Sequence, residues 1–314
     1  MRAAAIVVNF NGGADLPGCL AALAAQTVPL DVVLVDCASS DGSRAVAEHP
    51  PAGVRGLPLP DNRGYAGGCN AGLAALGPAA EAVAFFNPDC HPAPAFVAAC
   101  LAALDRDPGV GGVAGRLERP DGIHLDSCGQ VLTRWLLQVR DRGYGREAPG
   151  AFPAPDRVLS ACGAGMVYRR AALEAVRVDG EVFPGEFFAF WEDLDLGWRV
   201  GNRGWKVVYE PRAVAIHRRG ATAAAGRGRL IFRRPAAQAG DIVVNRWATL
   251  LRNLHGRDLA LRAPVLLPAE LAMLGYVLAR RPAAAPAVWA RLPRVGRALA
   301  QRRRLPRRRL GELQ

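Results

Sequence analysis

The stretch that decides the fold is Ala3-Ala4-Ala5-Ile6-Val7-Val8, which continues directly into Asn9-Phe10-Asn11. Six apolar residues, the last three of them β-branched, are typical of a short strand buried on both faces. The polar residues Asn9 and Asn11 then stand where such a strand leaves the core. We therefore predict a buried first strand with a polar cluster at its carboxyl end.

Strand and helix patterns alternate along the rest of the chain. Buried strands are predicted at Val32–Val35, Val54–Leu59, Ala82–Phe86, Val110–Val113 and Val207–Tyr209, and helices at Asp15–Ala25, up to Glu48, at Gly64–Leu76 and at Leu194–Arg203. Between them, the Gly, Pro and Arg residues of Leu117–Pro155 favour a long loop or hairpin. This alternation predicts an α/β fold with an open, mostly parallel central sheet and helices on both faces. Ligands of such sheets bind beyond the carboxyl ends of the strands, so the polar clusters that follow the strands should meet at one edge.

Composition agrees with a folded, packed protein and narrows the function. Apolar residues make up 51% and charged residues 22% of the 314 residues. The net charge is +12, and the segment 259–314 alone holds twelve arginines against two glutamates. The main domain is therefore nearly neutral, which disfavours a nucleic-acid binder, while the basic tail suggests an anionic membrane surface. The seven cysteines form no C-x-x-C pair, so buried reduced thiols are expected instead of disulfides or a zinc site.

Two motifs are suited to a nucleotide. Asp36 ends a predicted strand before Ser39 and Asp41-Gly42-Ser43; its carboxylate can accept from a pyrimidine N–H or a ribose hydroxyl, or the cluster can be a turn and a helix cap. The second motif, Asn62 to Gly72, is rich in glycine and opens a helix, which suits close approach of the backbone to a diphosphate. It matches neither the G-x-G-x-x-G spacing nor a P-loop with its lysine.

Three acidic or imidazole groups are suited to metal binding and proton transfer. Asn87-Pro88-Asp89 follows a buried strand, where a carboxylate can hold a divalent cation or simply stabilise a turn. Glu192-Asp193-Leu194-Asp195 crowds three carboxylates beside aromatic residues, which suits a general base, although acidic residues also favour helix N-termini. His217 follows a predicted strand and is either a metal ligand or a structural histidine.

Taken together and in this order, the motifs resemble those of the inverting family 2 glycosyltransferases with the GT-A fold, most closely the bacterial rhamnosyltransferase type. The resemblance covers about residues 3–222 and includes Gly163-Ala164-Gly165-Met166. It implies a Rossmann-like nucleotide-sugar-binding domain over 1–222 and a C-terminal helical segment over 223–314. Asn87 replaces the first acidic residue of the family's D-x-D motif, which makes His217 more important to the metal.

The resemblance also implies the residue roles. Asp193 is the expected catalytic base, with Glu192 and Asp195 as competitors, and Asp89 and His217 are the expected ligands of Mg²⁺ or Mn²⁺. Donor binding is expected of Asn9, Asn11, Asp36, Ser39, Asn62, Gly67, Gly68, Asn70 and Asn87. Acceptor binding is expected of Gly165, Trp191 and Asp195. The metal would neutralise the leaving diphosphate while the base removes the acceptor's proton in a single inverting displacement.

The expected substrates are a dTDP- or UDP-sugar, with dTDP-L-rhamnose as first choice, and a glycan or polyprenyl-linked acceptor in cell-envelope polysaccharide synthesis. A nucleotidyltransferase is the enzymatic alternative, but Asn9–Asp15 lacks the basic residues of a phosphate-gripping loop. A basic-tail nucleic-acid binder is the non-enzymatic alternative.

The C-terminal segment predicts a peripheral membrane contact. Ile242–Leu254 is amphipathic, and Ala263–Ala279 is almost entirely apolar but contains Pro264, Pro268 and Glu270. Those residues favour an interfacial helix over a full span, followed by the arginine clusters 302–304 and 307–309. The alternative is a docking helix with a disordered tail. No signal-peptide pattern precedes the first strand, so the expected location is cytoplasmic, at the inner face of a bacterial plasma membrane.

Overall fold

The computed structural model describes residues 1–219 and 235–314. Its strands are β1 Ala3–Asn9, β2 Leu30–Asp36, β3 Val54–Pro58, β4 Ala82–Phe86, β5 Cys90–Pro92, β6 Val110–Glu118, β7 Leu125–Ser127, β8 Gln130–Leu132, β9 Val139–Asp141, β10 Asp156–Val158, β11 Gly165–Arg169 and β12 Lys206–His217. Its helices are α1 Leu16–Ala24, α2 Arg44–Glu48, α3 Gly64–Ala75, α4 Phe96–Arg106, α5 Arg170–Ala175, α6 Glu192–Asn202, α7 Ala236–Asn253, α8 Gly256–Arg280, α9 Ala285–Arg291 and α10 Pro293–Arg302.

The central sheet is mixed and mostly parallel, as the sequence predicts. The strand order is β10-β12-β6-β11-β4-β1-β2-β3, with β5 added beside β12 and β7 beside β6. Strands β4, β1, β2 and β3 run parallel, and β6 and β12 form a second parallel pair. Between these two parallel groups lies β11, which is antiparallel to both β4 and β6. A separate hairpin is formed by β8 and β9.

Helices cover both faces of the sheet. Alternate residues of β1 divide between two cores, with Ile6 and Val8 in the core that includes α3 residues, and Val7 in the core that includes α1 and α4 residues. Close packing of α3 on β1 depends on Gly68, because a Cβ there would lie 2.5 Å from Val8 Cγ1. The continuous apolar character of β1 thus follows from burial on both sides.

The C-terminal helices share a core with the main domain. Leu194 and Trp198 of α6 pack with Leu250 of α7 and Leu266 of α8. The expected boundary between 222 and 223 lies outside the described residues, so the division into two domains stays a prediction.

The chain's end is packed against the protein, which differs from the disordered-tail alternative. Arg302 donates to the carbonyl oxygens of Leu251 and Leu254, each at 2.6 Å, and Arg307 donates to that of Leu305 at 2.7 Å. These two guanidinium groups are therefore committed to the fold. All seven cysteines are free thiols, as expected.

Candidate active site

The polar clusters meet at the carboxyl edge of the parallel strands. Asn9 at the end of β1 stands in register with Asp36 at the end of β2, and Asn87 follows β4 on the other side of β1. The Asn9 side-chain amide donates to Asp36 Oδ2 at 2.7 Å and to Ser43 Oγ at 2.8 Å. The first strand and its neighbours therefore place the expected donor-binding residues side by side.

Asp36 is the centre of a buried network. Its carboxylate accepts from the Ser39 hydroxyl at 2.6 Å and from the Ser39 backbone N–H at 3.0 Å. The Asn11 backbone N–H then donates to Ser39 Oγ at 2.9 Å, and the Asn11 side chain accepts from the Ser40 N–H at 2.7 Å. Because Asp36 has no exposed surface, its direct role here is to hold the loop, and contact with a nucleotide requires this loop to rearrange.

The glycine-rich segment serves mainly to let α3 pack closely against its neighbours, and less to expose backbone N–H groups to a diphosphate. Gly64 adopts φ +66°, and a Cβ there would lie 2.3 Å from the Phe188 carbonyl oxygen; its N–H is bound by the Asn62 side chain at 2.9 Å. A Cβ on Gly67 would meet Arg63 in its own helix. Asn70 exchanges both of its amide hydrogen bonds with the backbone of Phe183, so this side chain is committed to packing.

The structure brings together Asp89 and His217, the two residues that the sequence predicts as metal ligands. His217 Nε2 lies 3.5 Å from Asp89 Oδ1, and His217 Nδ1 lies 2.8 Å from Asp126 Oδ2. The β5–β12 pairing sets this geometry, since it places Cys90, next to Asp89, opposite His217. A histidine whose Nδ1 is held by a carboxylate presents Nε2 for coordination, which is the usual arrangement around protein-bound metals.

Charge is dense around this pair. Burial opposes protonation of His217, but the Asp126 and Asp89 carboxylates outweigh it and raise the pKa of His217 to about 9. Arg219 pairs with Asp126 and, at 2.7 Å, with Asp141. Arg219 holds the buried Asp126 in place, and the hydrogen bond between Asp126 and His217 Nδ1 fixes one orientation of the imidazole.

The residues present fit a divalent cation that is completed by the substrate. Among the described residues no group of three or more His, Cys, Asp or Glu side chains could hold a metal by itself. Asp89 and His217 supply one oxygen and one nitrogen at a separation that a single cation can bridge. Phosphate oxygens commonly provide the remaining ligands of a Mg²⁺ or Mn²⁺ in nucleotide sites.

Asp193 has the environment of a general base. Its Oδ2 accepts from Gln130 Nε2 and from the Gly163 N–H, each at 2.9 Å, and its Oδ1 accepts from the Leu194 N–H at 2.8 Å. Burial raises the pKa of this carboxyl, and the Gly163 bond opposes that shift only in part. The side chain is half-buried, and Oδ1 keeps a lone pair that none of the described residues uses.

Glu192 differs from its neighbour. It is buried, and its Oε2 has no hydrogen-bond partner within the described part of the chain. Burial, and then the charge of Asp193, raise the pKa of Glu192 well above its usual range. Burial without a partner for Oε2 among the described residues thus favours the neutral form of this carboxyl over the charged one.

The remaining expected acceptor residues are placed unequally. Asp195 is fully buried and accepts from Arg199, Arg252 and Asn253 at 2.7 to 2.8 Å, so it has no surface to offer an acceptor and belongs to the scaffold. Gly165 is buried within β11. Trp191 is half-buried beside the acidic motif.

The loop before α6 is strained and held by α7. Phe188 has φ +61° and ψ −68°, and Phe190 and Trp191 also have positive φ, conformations that cost about 1–3 kcal/mol each for non-glycine residues. The Asn245 side-chain amide of α7 donates to the carbonyl oxygens of Phe187, Ala189 and Phe190 at 2.9, 3.1 and 3.0 Å. Arg294 of α10 in turn donates to Asn245 Oδ1 at 2.7 Å.

Sequence reasoning missed Asp126, Gln130 and Asn245. Asp126 and Gln130 belong to the long segment for which only a loop or hairpin was expected, and Asn245 to a helix expected only to be amphipathic. Asn245 is one of several polar residues on the buried face of α7, so its position alone does not single it out. The three groups to which it donates are backbone carbonyls, which leave no trace in the sequence.

Comparisons with known proteins agree with this geometry. A sequence model of the family described as glycosyl transferase family 2 matches residues 4–177. The chain is 31% identical over 234 residues to the N-acetylglucosaminyl-diphospho-decaprenol L-rhamnosyltransferase of two Mycobacterium tuberculosis strains, CDC 1551 / Oshkosh and ATCC 25618 / H37Rv. The match covers 68% of this chain and 74% of the relative.

Solved structures show the same fold. A mannosyltransferase from Pyrobaculum calidifontis in complex with GDP-Man and Mn²⁺ has a TM-score of 0.55 at 20% identity, over 95% of this chain and 87% of its own. Residues 1–349 of S. aureus TarS in complex with UDP-GlcNAc give 0.58 at 16% identity, over 96% and 84%. These likenesses confirm the expected GT-A arrangement of a mostly parallel sheet with flanking helices.

Proposed function

Since the chain belongs to glycosyl transferase family 2, we propose that it is an inverting glycosyltransferase that moves L-rhamnose from dTDP-L-rhamnose to a polyprenyl-diphosphate-linked sugar. Family membership makes sugar transfer the activity, in place of nucleotidyl transfer or nucleic-acid binding. The choice of sugar and of acceptor rests on the rhamnosyltransferase relative, whose name states both. The observation that carries the proposal is the half-buried Asp193, which Gln130 and Gly163 hold through Oδ2, while Oδ1 keeps a lone pair that the described residues leave unused.

Asp193 is the general base in this mechanism. The acceptor oxygen attacks the anomeric carbon as its proton passes to Asp193, and the bond from that carbon to the diphosphate oxygen breaks on the opposite face. One displacement of this kind inverts the anomeric centre. The raised pKa of Asp193 brings the base closer to neutral pH, where proton transfer is most effective.

Asp89 and His217 hold the divalent cation in this account. When bound, Mg²⁺ or Mn²⁺ supplies positive charge to the diphosphate leaving group. Asp126 keeps the His217 ring in the orientation that points Nε2 toward Asp89. Asn11 and Asn87 at the polar edge contact the nucleoside part of the donor, with the Asn62–Gly72 segment beside it. The buried Asn9, Asp36 and Ser39 hold this edge in place and reach the donor only when the loop rearranges.

The experiment is transfer from radiolabelled dTDP-L-rhamnose to N-acetylglucosaminyl-diphospho-polyprenol, with UDP-glucose and UDP-N-acetylglucosamine as competing donors. We expect transfer only from the rhamnose donor, dependent on Mn²⁺ or Mg²⁺, and an inverted linkage by NMR. Transfer that is unaffected by EDTA, or that prefers a UDP-sugar, would contradict the metal or the donor assignment respectively.

We also propose that α8 attaches the protein to the cytoplasmic face of the membrane. By length and apolar composition this helix could cross a bilayer, and only 11% of its most apolar 18-residue stretch is buried against the protein. Glu270, in the middle of this helix, binds Arg246 and the Trp247 indole. Most of the exposed apolar residues of α8 recur at helical spacing, and we call the exposed apolar set from Leu261 onward the apolar stripe: Leu261, Pro264, Val265, Leu267, Pro268, Leu271, Ala272, Gly275, Tyr276 and Ala279.

The apolar stripe offers a test that leaves the fold intact. Leu271 is 70% exposed, so Leu271→Glu places a charge on the surface without a loss of packing. Binding to vesicles that contain phosphatidylglycerol should fall several-fold, while Ile123→Glu, the same change at a 52% exposed apolar residue outside α8, serves as the matched control and should leave binding unchanged. Vesicle binding that survives Leu271→Glu would exclude α8 as the docking helix.

A further inference from the structure

A basic pocket lies at the amino-terminal end of the apolar stripe. It encloses about 360 Å³ and is lined by Arg134, Trp135, Arg262, Arg309 and Leu261, together with the carboxylates described below. We call it the arginine pocket. Leu261 belongs both to this pocket and to the stripe, so the two surfaces are continuous. An arginine-lined pocket beside an aromatic ring is typical of phosphate recognition.

The carboxylates at the pocket leave a net positive charge. Asp258 lines the pocket, but it is only 3% exposed, and its oxygens accept from Arg262 and from the Leu310 N–H; Arg309 lies 3.2 Å from it. Glu312 also lines the pocket and pairs with Arg308 on the chain's last turn. Three guanidinium groups, those of Arg134, Arg262 and Arg309, therefore face the carboxylates of Asp258 and Glu312, which leaves one net positive charge. Arg308, which pairs with Glu312, adds a further positive charge nearby.

Arg134 is the guanidinium most available to an anion. It is exposed and lies over the Trp135 ring, 5.5 Å from its centroid. Its carbonyl oxygen accepts from Arg262 at 2.8 Å. Within residues 1–219 and 235–314 no carboxylate pairs with its guanidinium group, so the side chain can bind an incoming phosphate without breaking an ion pair there.

The hairpin connects the arginine pocket to the catalytic base. Gln130, at the start of β8, donates to Asp193, and Arg134 follows only four residues later. Four residues span at most about 14 Å of chain. That limit on the backbone separation of Gln130 and Arg134 is comparable with the length of a monosaccharide joined to a diphosphate.

We propose that the arginine pocket binds the diphosphate of a polyprenyl-diphosphate-linked acceptor. The polyprenyl chain continues into the membrane beside the apolar stripe, and the sugar extends along the β8–β9 hairpin toward Asp193. This inference rests on the proposed function, and it adds the site that distinguishes a lipid-linked acceptor from a free sugar. It also explains why arginines and an aromatic ring lie beside the amino-terminal end of the apolar stripe.

The test compares two acceptors of the same sugar. Arg134→Ala is assayed with N-acetylglucosaminyl-diphospho-geranylgeraniol and with octyl N-acetylglucosaminide, which lacks the diphosphate. We expect the KM for the diphosphate acceptor to rise about ten-fold, as loss of one charged phosphate contact predicts, while kcat/KM for the octyl glycoside stays within about two-fold. Arg304→Ala, which removes an equally exposed arginine elsewhere, should change neither. An equal fall with both acceptors, or no change with either, would overturn the proposal.

Two further arms separate the possible failures. If Arg134→Ala lowers binding to phosphatidylglycerol vesicles but turns over the geranylgeranyl acceptor normally, the pocket takes a phospholipid headgroup and the proposal is wrong. Calorimetry with geranylgeranyl diphosphate and with geranylgeraniol tests the pocket without transfer, and we expect tighter binding of the diphosphate, lost in Arg134→Ala. Wild-type protein that binds the diphosphate but transfers no sugar would contradict the proposed function and leave this inference standing.

Discussion

Asn245→Ala should separate the positioning of the acidic motif from the stability of the fold. Asn245 has no exposed surface, and its amide donates to three carbonyl oxygens of the strained loop before α6. The two hydrogens of this amide contribute about 1 kcal/mol each, and its Oδ1 also accepts from Arg294, so the substitution should cost roughly 3 kcal/mol of unfolding free energy. For a chain of this size that corresponds to a fall in Tm of roughly 6–10 °C.

The catalytic effect should be larger than the thermal effect implies. Without the amide, Phe188 can leave its positive-φ conformation, and Glu192 and Asp193, which follow the loop, lose their fixed position. Misplacement of a catalytic group by about 1 Å costs on the order of 100-fold in rate. We therefore expect kcat to fall about 100-fold at a temperature where the variant is folded, with the Kd of dTDP-L-rhamnose within about two-fold.

The matched control is Asn202→Ala. Asn202 is also a buried amide between α6 and the C-terminal segment, where it bonds the Asn253 carbonyl and the Arg308 N–H, but it does not contact the loop. We expect a lower Tm and an unchanged kcat for this control, by differential scanning fluorimetry and a radiolabel transfer assay. If Asn245→Ala lowers Tm and leaves kcat at the wild-type value, the strained loop does not position the base.

Three further outcomes follow from the site. Glu192→Gln should retain transfer and flatten the dependence of stability on pH. Because the pKa of Glu192 is raised in the folded state, wild-type stability falls as the pH rises above the usual pKa of 4.5. Thermal unfolding from about pH 5 to about pH 8 should show this fall in the wild type and not in the variant. The acidic limb of kcat should lie above the ordinary aspartate pKa of 3.8, because burial raises the pKa of Asp193, and a limb at or below that value would contradict its role. Asp126→Asn should raise the Mn²⁺ concentration for half-maximal activity by roughly 10–100-fold, whereas Asp141→Asn, which removes only the other partner of Arg219, should change it little.

Local patterns were sufficient to predict the first half of the sheet. The apolar runs of β1, β2 and β4 appear in the structure within a residue or two of their predicted limits, since strands buried on both faces leave an uninterrupted signal. The helix α4, Phe96–Arg106, was not predicted, although Phe96, Cys100 and Leu104 recur at helical spacing. The antiparallel strand β11 could not be predicted, because its partners β4 and β6 are distant in sequence.

Individual residues of the candidate site could be predicted from the sequence, but most of the contacts between them could not. Asp89 and His217 were expected to act together, and the structure brings them within 3.5 Å. The burial of Asp195 between Arg199 and Arg252 was not predictable, because Arg252 comes from a helix 57 residues away. The C-terminal helical segment is present as predicted, and the same long-range packing makes it part of the acidic motif's support.

The most direct test of the central claim is transfer by Asp193→Asn, measured beside donor binding and beside Glu192→Gln. We expect dTDP-L-rhamnose and Mn²⁺ to bind Asp193→Asn with near wild-type affinity, while kcat falls by about 100-fold or more, because general-base catalysis contributes a rate factor of about that size. Glu192→Gln should keep most of its activity. Full activity in Asp193→Asn, or loss of activity in Glu192→Gln alone, would contradict the assignment of Asp193 as the base.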